Sequence, residues 1–229
     1  GNINVERLIT MLNVKDDKLV VEYKGIYSVE KFIMARRFMY WQVYLHKTGI
    51  VAENLLVKIL KRAKNLMKEG VDVPCGTTLM TFLKDGPDQK TFDRKALETF
   101  SRLDDFDVMS AVKSWLTHED FILSYLCTSI VNRKLPKIEM RNEIIEKDYI
   151  TQIRQKVKSK MQVTEADLEY LVYEGEVQNK AYNPDKEGIS IMYKIGELND
   201  IIYASDSTSI EALSKTVSKY FVCYPKKLL

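Results

Sequence analysis

Apolar residues recur with helical spacing along the stretch from Ser28 to Lys68. In its second half they follow one another at steps of three and four residues, and lysines and arginines occupy the opposite face. This apolar set consists of Leu55, Leu56, Ile59, Leu60, Ala63 and Leu66. The pattern predicts a helix that is capped by Ser28 and ends before Gly70. Since one helix of this length is unusual, we expect a bend or break near Gly49.

The segments on either side of this stretch predict a helical region that reaches residue 133. A short helix capped by Asn4 and a strand beginning at Lys18 precede the long helix. Four further helices are predicted after it, at residues 77–84, 93–100, 103–116 and 117–131. We therefore interpret residues 1–133 as one helical part.

Residues 134–229 mix strand and helix patterns. The predicted helices lie at 146–161 and 164–171, and the predicted strands at 172–180, 189–195 and 199–203. Gly196-Glu197 is typical of a tight hairpin. Ser207 or Thr208 is predicted to cap a last helix, from Ile210 to Phe221. The chain is thus predicted to be mainly α, with a small C-terminal α+β module that contains an antiparallel sheet.

Composition places the chain among ordinary soluble proteins. It has 229 residues, of which 45% are hydrophobic and 29% charged, and its net charge of +3 is too small to indicate nucleic-acid binding. Three widely spaced cysteines fit neither a disulfide framework nor a metal site and indicate a reducing compartment. There is no signal peptide and no apolar run near the ~18 residues that span a membrane. We expect a cytoplasmic protein that does not contact membranes.

One stripe of the long helix suggests chemistry. At ~100° per residue, Arg36, Tyr40, Tyr44 and Lys47 would fall within an arc of about 80°. Two cations and two phenol rings on one stripe can hold an anion and stack a flat or sugar-like group beside it. The alternative is a helix–helix contact in which the apolar stems are buried and the polar ends reach water. The residues alone leave both interpretations open.

The same stretch resembles a known family. The string Arg36-x7-Tyr44-x-His46-Lys47, followed by a long basic-faced helix, resembles the part of HD-domain phosphohydrolases that follows their last metal ligand. The opening GNINVERLITML resembles the segment shortly after the final metal-binding Asp of that family. Bacterial dNTP triphosphohydrolase-like members are the most similar, and mammalian dNTPases with SAM and HD domains are distantly similar. The resemblance implies the remainder of an all-α HD-type lobe, a nucleotide substrate and a homo-oligomer.

The resemblance also implies roles for individual residues. Arg36 would hold the substrate phosphates, and Tyr44 would pack on the sugar. His46 and Lys47 would lie near a regulatory nucleotide site, and we add Tyr40 to this second group. For His46 and Lys47, a substrate contact or a structural ion pair remains an alternative.

The family's metal site is not expected within this chain. A divalent metal there is held by two His and two Asp, but this chain has only His46 and His118, and neither is followed by Asp. The carboxylates between Asp104 and Asp107 are better explained as helix caps than as cation ligands. We therefore expect the metal ligands upstream of Gly1, assign no catalytic residue here, and expect this chain alone to be inactive.

The leading hypothesis is the C-terminal part of an HD-type nucleotide phosphohydrolase, which contributes substrate contacts and an oligomer surface. One alternative is a module for homo-oligomerisation without a ligand. Another is nucleic-acid binding through the basic faces at residues 58–68 and 154–160.

Overall fold

The computed structural model describes residues 3–87, 90–206 and 208–226. The chain divides into two compact units. The first unit contains residues 1–46 and 176–220, and the second contains residues 47–175 and 221–229. The secondary structure confirms the predicted fold class, mainly α with a C-terminal α+β module. The predicted domain division between residues 133 and 134 stays a prediction.

The described residues form the following helices and strands. The helices are α1 (Val5–Thr10), α2 (Ile26–Met39), α3 (Lys47–Lys68), α4 (Thr77–Asp85), α5 (Arg94–Phe100), α6 (Asp105–Ser114), α7 (Phe121–Val131), α8 (Lys147–Met161), α9 (Leu168–Leu171), α10 (Pro184–Glu187), α11 (Ile201–Ala204) and α12 (Thr208–Leu213). The strands are β1 (Leu12–Lys15), β2 (Lys18–Glu22), β3 (Lys137–Arg141), β4 (Tyr173–Asn179), β5 (Ser190–Met192), β6 (Leu198–Asp200) and β7 (Val217–Tyr224). A π-helical turn, Tyr40–Tyr44, continues α2.

The first unit packs α2 against a four-stranded sheet of order β1-β2-β5-β6. β1 and β2 form an antiparallel hairpin, β2 and β5 run parallel, and β5 and β6 are antiparallel. Ile26, Val29 and Ile33 recur on one face of α2 and are buried together with Val21 and Ile191 of the sheet. This packing directs the opposite face of α2 away from the core.

In the second unit, α3 and α7 pack against each other. Leu55, Ile59 and Ala63 of α3 are fully buried, as the sequence pattern predicts. Trp115 is also fully buried, and its indole N–H donates a 2.7 Å hydrogen bond to the Pro74 carbonyl oxygen. A buried tryptophan is stable there because its polar atom has a partner.

The prediction of a last helix from Ile210 to Phe221 is wrong over most of that range. Within this range the helix, α12, ends at Leu213. From Val217 the chain forms β7, the central strand of a second sheet of order β3-β7-β4. Val217–Tyr224 is rich in β-branched and aromatic residues, and burial of its last four side chains stabilises the strand. The predicted cap Ser207 lies outside the described residues. The predicted strand at 199–203 also ends early, because Asp200 caps α11 through a 2.9 Å bond from the Ile202 N–H.

The predicted break of the long helix is found three to four residues before Gly49, and the predicted start differs. α2 begins at Ile26, directly after a 3₁₀ turn, so Ser28 lies inside the helix and is not its cap. The reason is that the buried apolar series already starts at Ile26. The break comes at Leu45 and His46 and not at Gly49, which lies within α3. The aromatic and β-branched residues of the π-helical turn are poor α-helix formers, which explains the earlier end.

Candidate functional site

The outward face of α2 and the π-helical turn line a pocket of about 740 Å³ in the first unit. We call it the Arg36 pocket. Its lining is largely apolar and aromatic, with a few polar groups, and consists of Ile3, Phe32, Ala35, Arg36, Phe38, Met39, Tyr40, Gln42 and Tyr44. Three of the five residues predicted as a site, Arg36, Tyr40 and Tyr44, are therefore brought together in one pocket.

The side chains of Arg36, Tyr40 and Tyr44 contact one another in sequence order. The Arg36 guanidinium carbon lies 5.4 Å from the centre of the Tyr40 ring, within the range of a cation–π interaction. The Tyr40 and Tyr44 rings meet edge to face, with centroids 5.3 Å apart. Arg36 is half-buried, whereas Tyr44 is 61% exposed. A fixed cation thus lies at one end of the series and an accessible aromatic ring at the other.

The Arg36 guanidinium is held in place by the backbone. Its Nη1 donates a 3.0 Å hydrogen bond to the carbonyl oxygen of Ala181. A guanidinium has five N–H groups, and this bond uses one of them. Within the described ranges Arg36 forms no ion pair with a carboxylate, so its charge is directed to the pocket and not to a protein anion.

The π-helical turn sets the direction of the rings. The Leu45 N–H donates a 2.7 Å hydrogen bond to the Tyr40 carbonyl oxygen, five residues back, which defines the wider turn. On the other side of the turn, the Lys219 ammonium lies 4.4 Å from the centre of the Trp41 ring. Wide turns of this kind occur frequently at functional sites.

Sequence reasoning missed Gln42, an exposed amide that also lines the pocket. At ~100° per residue it would lie on the opposite side of the helix from Tyr40, so the helical periodicity excluded it. Phe38, two residues before Tyr40, lines the pocket as well, so the pocket extends around more of the helix than the predicted stripe.

The structure does not place Lys47 in the Arg36 pocket. Lys47 begins α3 in the second unit, and the stripe calculated for one continuous helix ends at the break before it. His46 lies at this break, is exposed and does not line the Arg36 pocket.

Lys47 lines a different pocket, of about 340 Å³, within the second unit. We call it the Lys47 pocket. Four of its lining residues are basic, namely Lys47, Arg133, Lys137 and Lys226. They converge beside the first turn of α3, where the helix dipole adds positive potential. Because three of them are distant in sequence from Lys47, no local pattern indicates the cluster.

The basic faces considered for nucleic acid make local contacts in the second unit. Lys58 donates a 2.6 Å hydrogen bond to the Glu169 carbonyl oxygen, and burial lowers its pKa. Arg154 and Lys158 both form ion pairs with Glu165, at 3.0 and 3.1 Å. The Glu165 carboxylate offsets part of the charge of the face at residues 154–160, and Lys58 is held at a backbone carbonyl.

The side chains that could ligate a metal are committed to other contacts. In the part of the chain that the structure describes, no group of three or more His, Cys, Asp or Glu side chains could hold a metal ion. His118 accepts a 3.0 Å hydrogen bond at Nδ1 from the Asp120 N–H, and its Nε2 lies 2.9 Å from the Asp72 carbonyl oxygen. Asp104 and Asp107 form a capping box at the start of α6. The described residues therefore offer no set of ligands for a divalent metal ion.

The two buried thiols offer no alternative chemistry. Cys127 and Cys223 are fully buried, and burial raises the pKa of each to about 12. Such thiols stay protonated and are poor nucleophiles. Among the described helices, none has the length and apolar content that crossing a bilayer requires.

Comparison with known proteins finds a family model that matches the part of the chain containing this pocket. Residues 3–73 match the model of the HD associated region, and this range contains every residue that lines the Arg36 pocket. A crystal structure of a phosphohydrolase from Bacteroides thetaiotaomicron is 40% identical and superimposes with a TM-score of 0.89 over 97% of this chain. These findings link the chain to HD-type phosphohydrolases.

Two further relatives extend the comparison. The Bacillus subtilis protein YwfO is 34% identical over 135 residues, or 59% of this chain. A hypothetical protein from Aquifex aeolicus, at 20% identity and a TM-score of 0.61, covers 100% of the chain and shares its fold. The chain covers only 30% of YwfO, 56% of the Bacteroides structure and 50% of the Aquifex structure.

Proposed function

We propose that this chain is the C-terminal part of an HD-type phosphohydrolase and that its Arg36 pocket contacts a nucleotide substrate of the dNTP type. The observation that carries the proposal is the alignment of Arg36, Tyr40 and Tyr44 along one pocket wall. The link to HD-type phosphohydrolases supports the reaction class, and the side chains support the kind of substrate.

Arg36 is assigned to the phosphates. A guanidinium is permanently charged and presents paired N–H donors that match phosphate oxygens. The Ala181 carbonyl and the Tyr40 ring hold this group in one orientation, so little side-chain freedom is lost when an anion binds.

Tyr44 is assigned to the sugar or another flat part of the substrate. Its exposed ring and the apolar side chains of Phe32 and Met39 give the pocket a non-polar wall. A charged end next to a non-polar wall matches a molecule that carries phosphates on a nucleoside.

The bond cleavage itself is assigned to residues outside this chain. Since the described residues do not fit a metal, no hydrolytic step is derived from them. The contribution of this chain is to bind and orient the substrate from a helix, and precise positioning by a rigid element is a large part of phosphoryl-transfer catalysis.

The Lys47 pocket is assigned to a second, regulatory nucleotide. Four basic side chains surround a space of about 340 Å³, and although Lys137 also pairs with Glu139 at 3.4 Å, the remaining positive charge favours a polyphosphate there. Lys47 is assigned a direct phosphate contact, and His46 precedes it in the sequence without lining this pocket. In the full-length protein, Lys47→Gln is expected to weaken activation by an added nucleotide and to leave the KM of the substrate unchanged.

The test is the hydrolysis of dNTPs by the full-length protein carrying Arg36→Ala. We expect kcat/KM to fall about 100-fold or more, because the phosphates lose their fixed donor. Arg36→Lys keeps the charge without the paired donors, so its kcat/KM should lie between those of the wild type and Arg36→Ala. Arg37→Ala is the matched control, since Arg37 is adjacent in sequence and does not line the pocket.

Equal kinetics for Arg36→Ala and Arg37→Ala would contradict the proposal. Sedimentation of the protein with and without dNTP then separates the remaining interpretations, because a pure assembly module is indifferent to nucleotide. Monophosphates and phosphodiesters in the same assay define which phosphate group is cleaved.

A further inference from the structure

A second aromatic site lies at the end of two parallel strands of the first unit. The register of β2 and β5 pairs Val21 with Ile191 and Glu22 with Met192. In the sequence each strand is followed by the same dipeptide, Tyr23-Lys24 after β2 and Tyr193-Lys194 after β5. Because the strands are parallel and in register, the two dipeptides lie side by side at the carboxyl ends of the strands.

The two rings and the two lysines line one small pocket. The Tyr23 and Tyr193 ring centroids are 4.8 Å apart, and the rings are inclined by 31°. The pocket has a volume of about 270 Å³ and is lined by Glu22, Tyr23, Lys24, Met192, Tyr193, Lys194 and Gly196. We call it the tyrosine-pair pocket. None of its lining residues belongs to the Arg36 pocket.

Contacts hold the backbone of the tyrosine-pair pocket in place in both of the turns that line it. A hydrogen bond of 2.8 Å from the Gly196 N–H to the Tyr193 carbonyl oxygen closes the turn, and Gly196 has a φ of +82°, which favours glycine. The Lys15 ammonium donates to the Gly196 carbonyl oxygen. In the turn that begins at Tyr23, a Cβ at Gly25 would come within 2.8 Å of the Met11 and Val21 side chains, so this turn is tightly packed.

The charges of the pocket favour an anion. Lys24 and Lys194 form no ion pair with a carboxylate in the described part of the chain. The one acidic lining residue, Glu22, accepts a 3.2 Å hydrogen bond from the Asn13 amide. Tyr23 is 48% exposed, so a flat group can stack on the outer face of the tyrosine pair.

We propose that the tyrosine-pair pocket binds one nucleotide unit, with the base stacked on Tyr23 and the phosphate held by Lys24 and Lys194. Stacking of a base on an aromatic side chain next to lysines is how proteins hold nucleotides without reading a sequence. The small volume fits a single unit and is below the ~300 Å³ at which drug-sized pockets begin. The unit comes either from a free mononucleotide or from a single strand, and this proposal is independent of the proposed hydrolase function.

The experiment uses the full chain and two probes. Fluorescence anisotropy follows a labelled oligothymidylate, and NMR follows unlabelled AMP, which has no triphosphate for a hydrolase to cleave. We expect both probes to bind. Equal affinity per site for the two probes identifies a mononucleotide site, and much tighter binding of the oligonucleotide identifies a single-strand site.

Substitutions locate the binding. Tyr23→Leu should weaken it about tenfold through loss of stacking, whereas Tyr23→Phe should retain it. Lys24→Gln combined with Lys194→Gln should weaken it and reduce the dependence on salt. The matched controls are Tyr203→Leu and Lys31→Gln, since both residues are exposed in the same unit and lie outside the pocket.

The proposal is overturned if neither probe binds at millimolar concentration. It is also overturned if binding is equal in wild type, Tyr23→Leu and the double lysine variant. Tyr193→Leu provides a second aromatic variant in case Tyr23→Leu fails to fold, which near-UV circular dichroism would reveal.

Discussion

Arg36 and Arg62 show two different uses of an arginine next to a tyrosine. Each guanidinium lies over an aromatic ring, Arg36 at 5.4 Å from the centre of Tyr40 and Arg62 at 5.2 Å from the centre of Tyr170. Each arginine also belongs to a long helix. On these criteria alone, either one could bind a ligand.

Their remaining contacts separate them. Arg62 makes two hydrogen bonds to the Asp120 carboxylate, at 3.0 and 2.6 Å, and lies 3.7 Å from Asp167. The hydrogen bond to Asp120 raises the pKa of Arg62 against the effect of burial. Arg36 instead donates to a neutral carbonyl and lines a pocket. An arginine whose charge is neutralised by protein carboxylates holds the fold together, and one without such a partner is the better candidate for a bound anion.

The largest expected difference is in stability. Arg62→Ala leaves the half-buried Asp120 carboxylate without its cation and should lower the free energy of unfolding by about 3 kcal/mol. Arg36→Ala should cost less, about 1–2 kcal/mol, since it removes one hydrogen bond to a carbonyl and one ring contact. Urea unfolding followed by circular dichroism measures both.

Arg94→Ala is the matched control for this experiment. Its ion pair with Glu98 joins side chains that are 92% and 60% exposed, so its loss should change the free energy of unfolding by less than ~0.5 kcal/mol. If Arg36→Ala destabilised the chain as much as Arg62→Ala does, Arg36 would be a structural residue and the distinction would fail.

The same ion pair should appear in the pH dependence of stability. Burial acts to raise the pKa of Asp120, but hydrogen bonds from Arg62 and from the Leu123 N–H outweigh it and hold the pKa below its usual range. The stabilisation is therefore complete above the unfolded value of about 4 and is lost as the pH falls through the lower folded value. Unfolding free energies measured from pH 7 downward test this.

Asp120→Asn isolates that contribution. The pKa of Glu139 is also lowered, because hydrogen bonds from Tyr224 and Tyr149 outweigh burial, so wild-type acid sensitivity has several sources. We expect the difference in unfolding free energy between wild type and Asp120→Asn to shrink below about pH 4. A difference that stays constant across that range would show that Asp120 and Arg62 are not coupled in this way.

The two arginines also show what sequence can predict. The apolar face of α3 and the cap at Asn4 follow from local spacing and residue type, and they are confirmed. For α6 the sequence leaves Asp104 and Asp105 as alternative caps, and the structure has Asp104. The partner of Arg62 lies 58 residues away, and no local pattern connects the two. Sequence therefore predicted a basic face there, whereas the fold neutralises part of that face.

The candidate site was also predictable only where local spacing determines it. The spacing of Arg36, Tyr40 and Tyr44 predicts that they share one side, because they lie within a single helical segment. The wider turn after Tyr40 and the break before Lys47 depend on local backbone energetics that periodicity does not record. The break before Lys47 accounts for its separation from the Arg36 pocket, whereas the pocket includes Gln42 because it extends beyond the predicted stripe.

The smallest expected effect on stability concerns Tyr44. Its ring is 61% exposed and touches Tyr40 edge to face, so Tyr44→Ala should change the free energy of unfolding by less than ~0.5 kcal/mol. If the ring packs on substrate, the same variant should raise KM in the full-length protein, and Tyr44→Phe should behave as wild type because it keeps the aromatic face. Tyr27→Ala is a suitable control, since Tyr27 is equally exposed and does not line the pocket. A loss of stability without a change in KM would show that Tyr44, like Arg62, serves the fold and not a ligand.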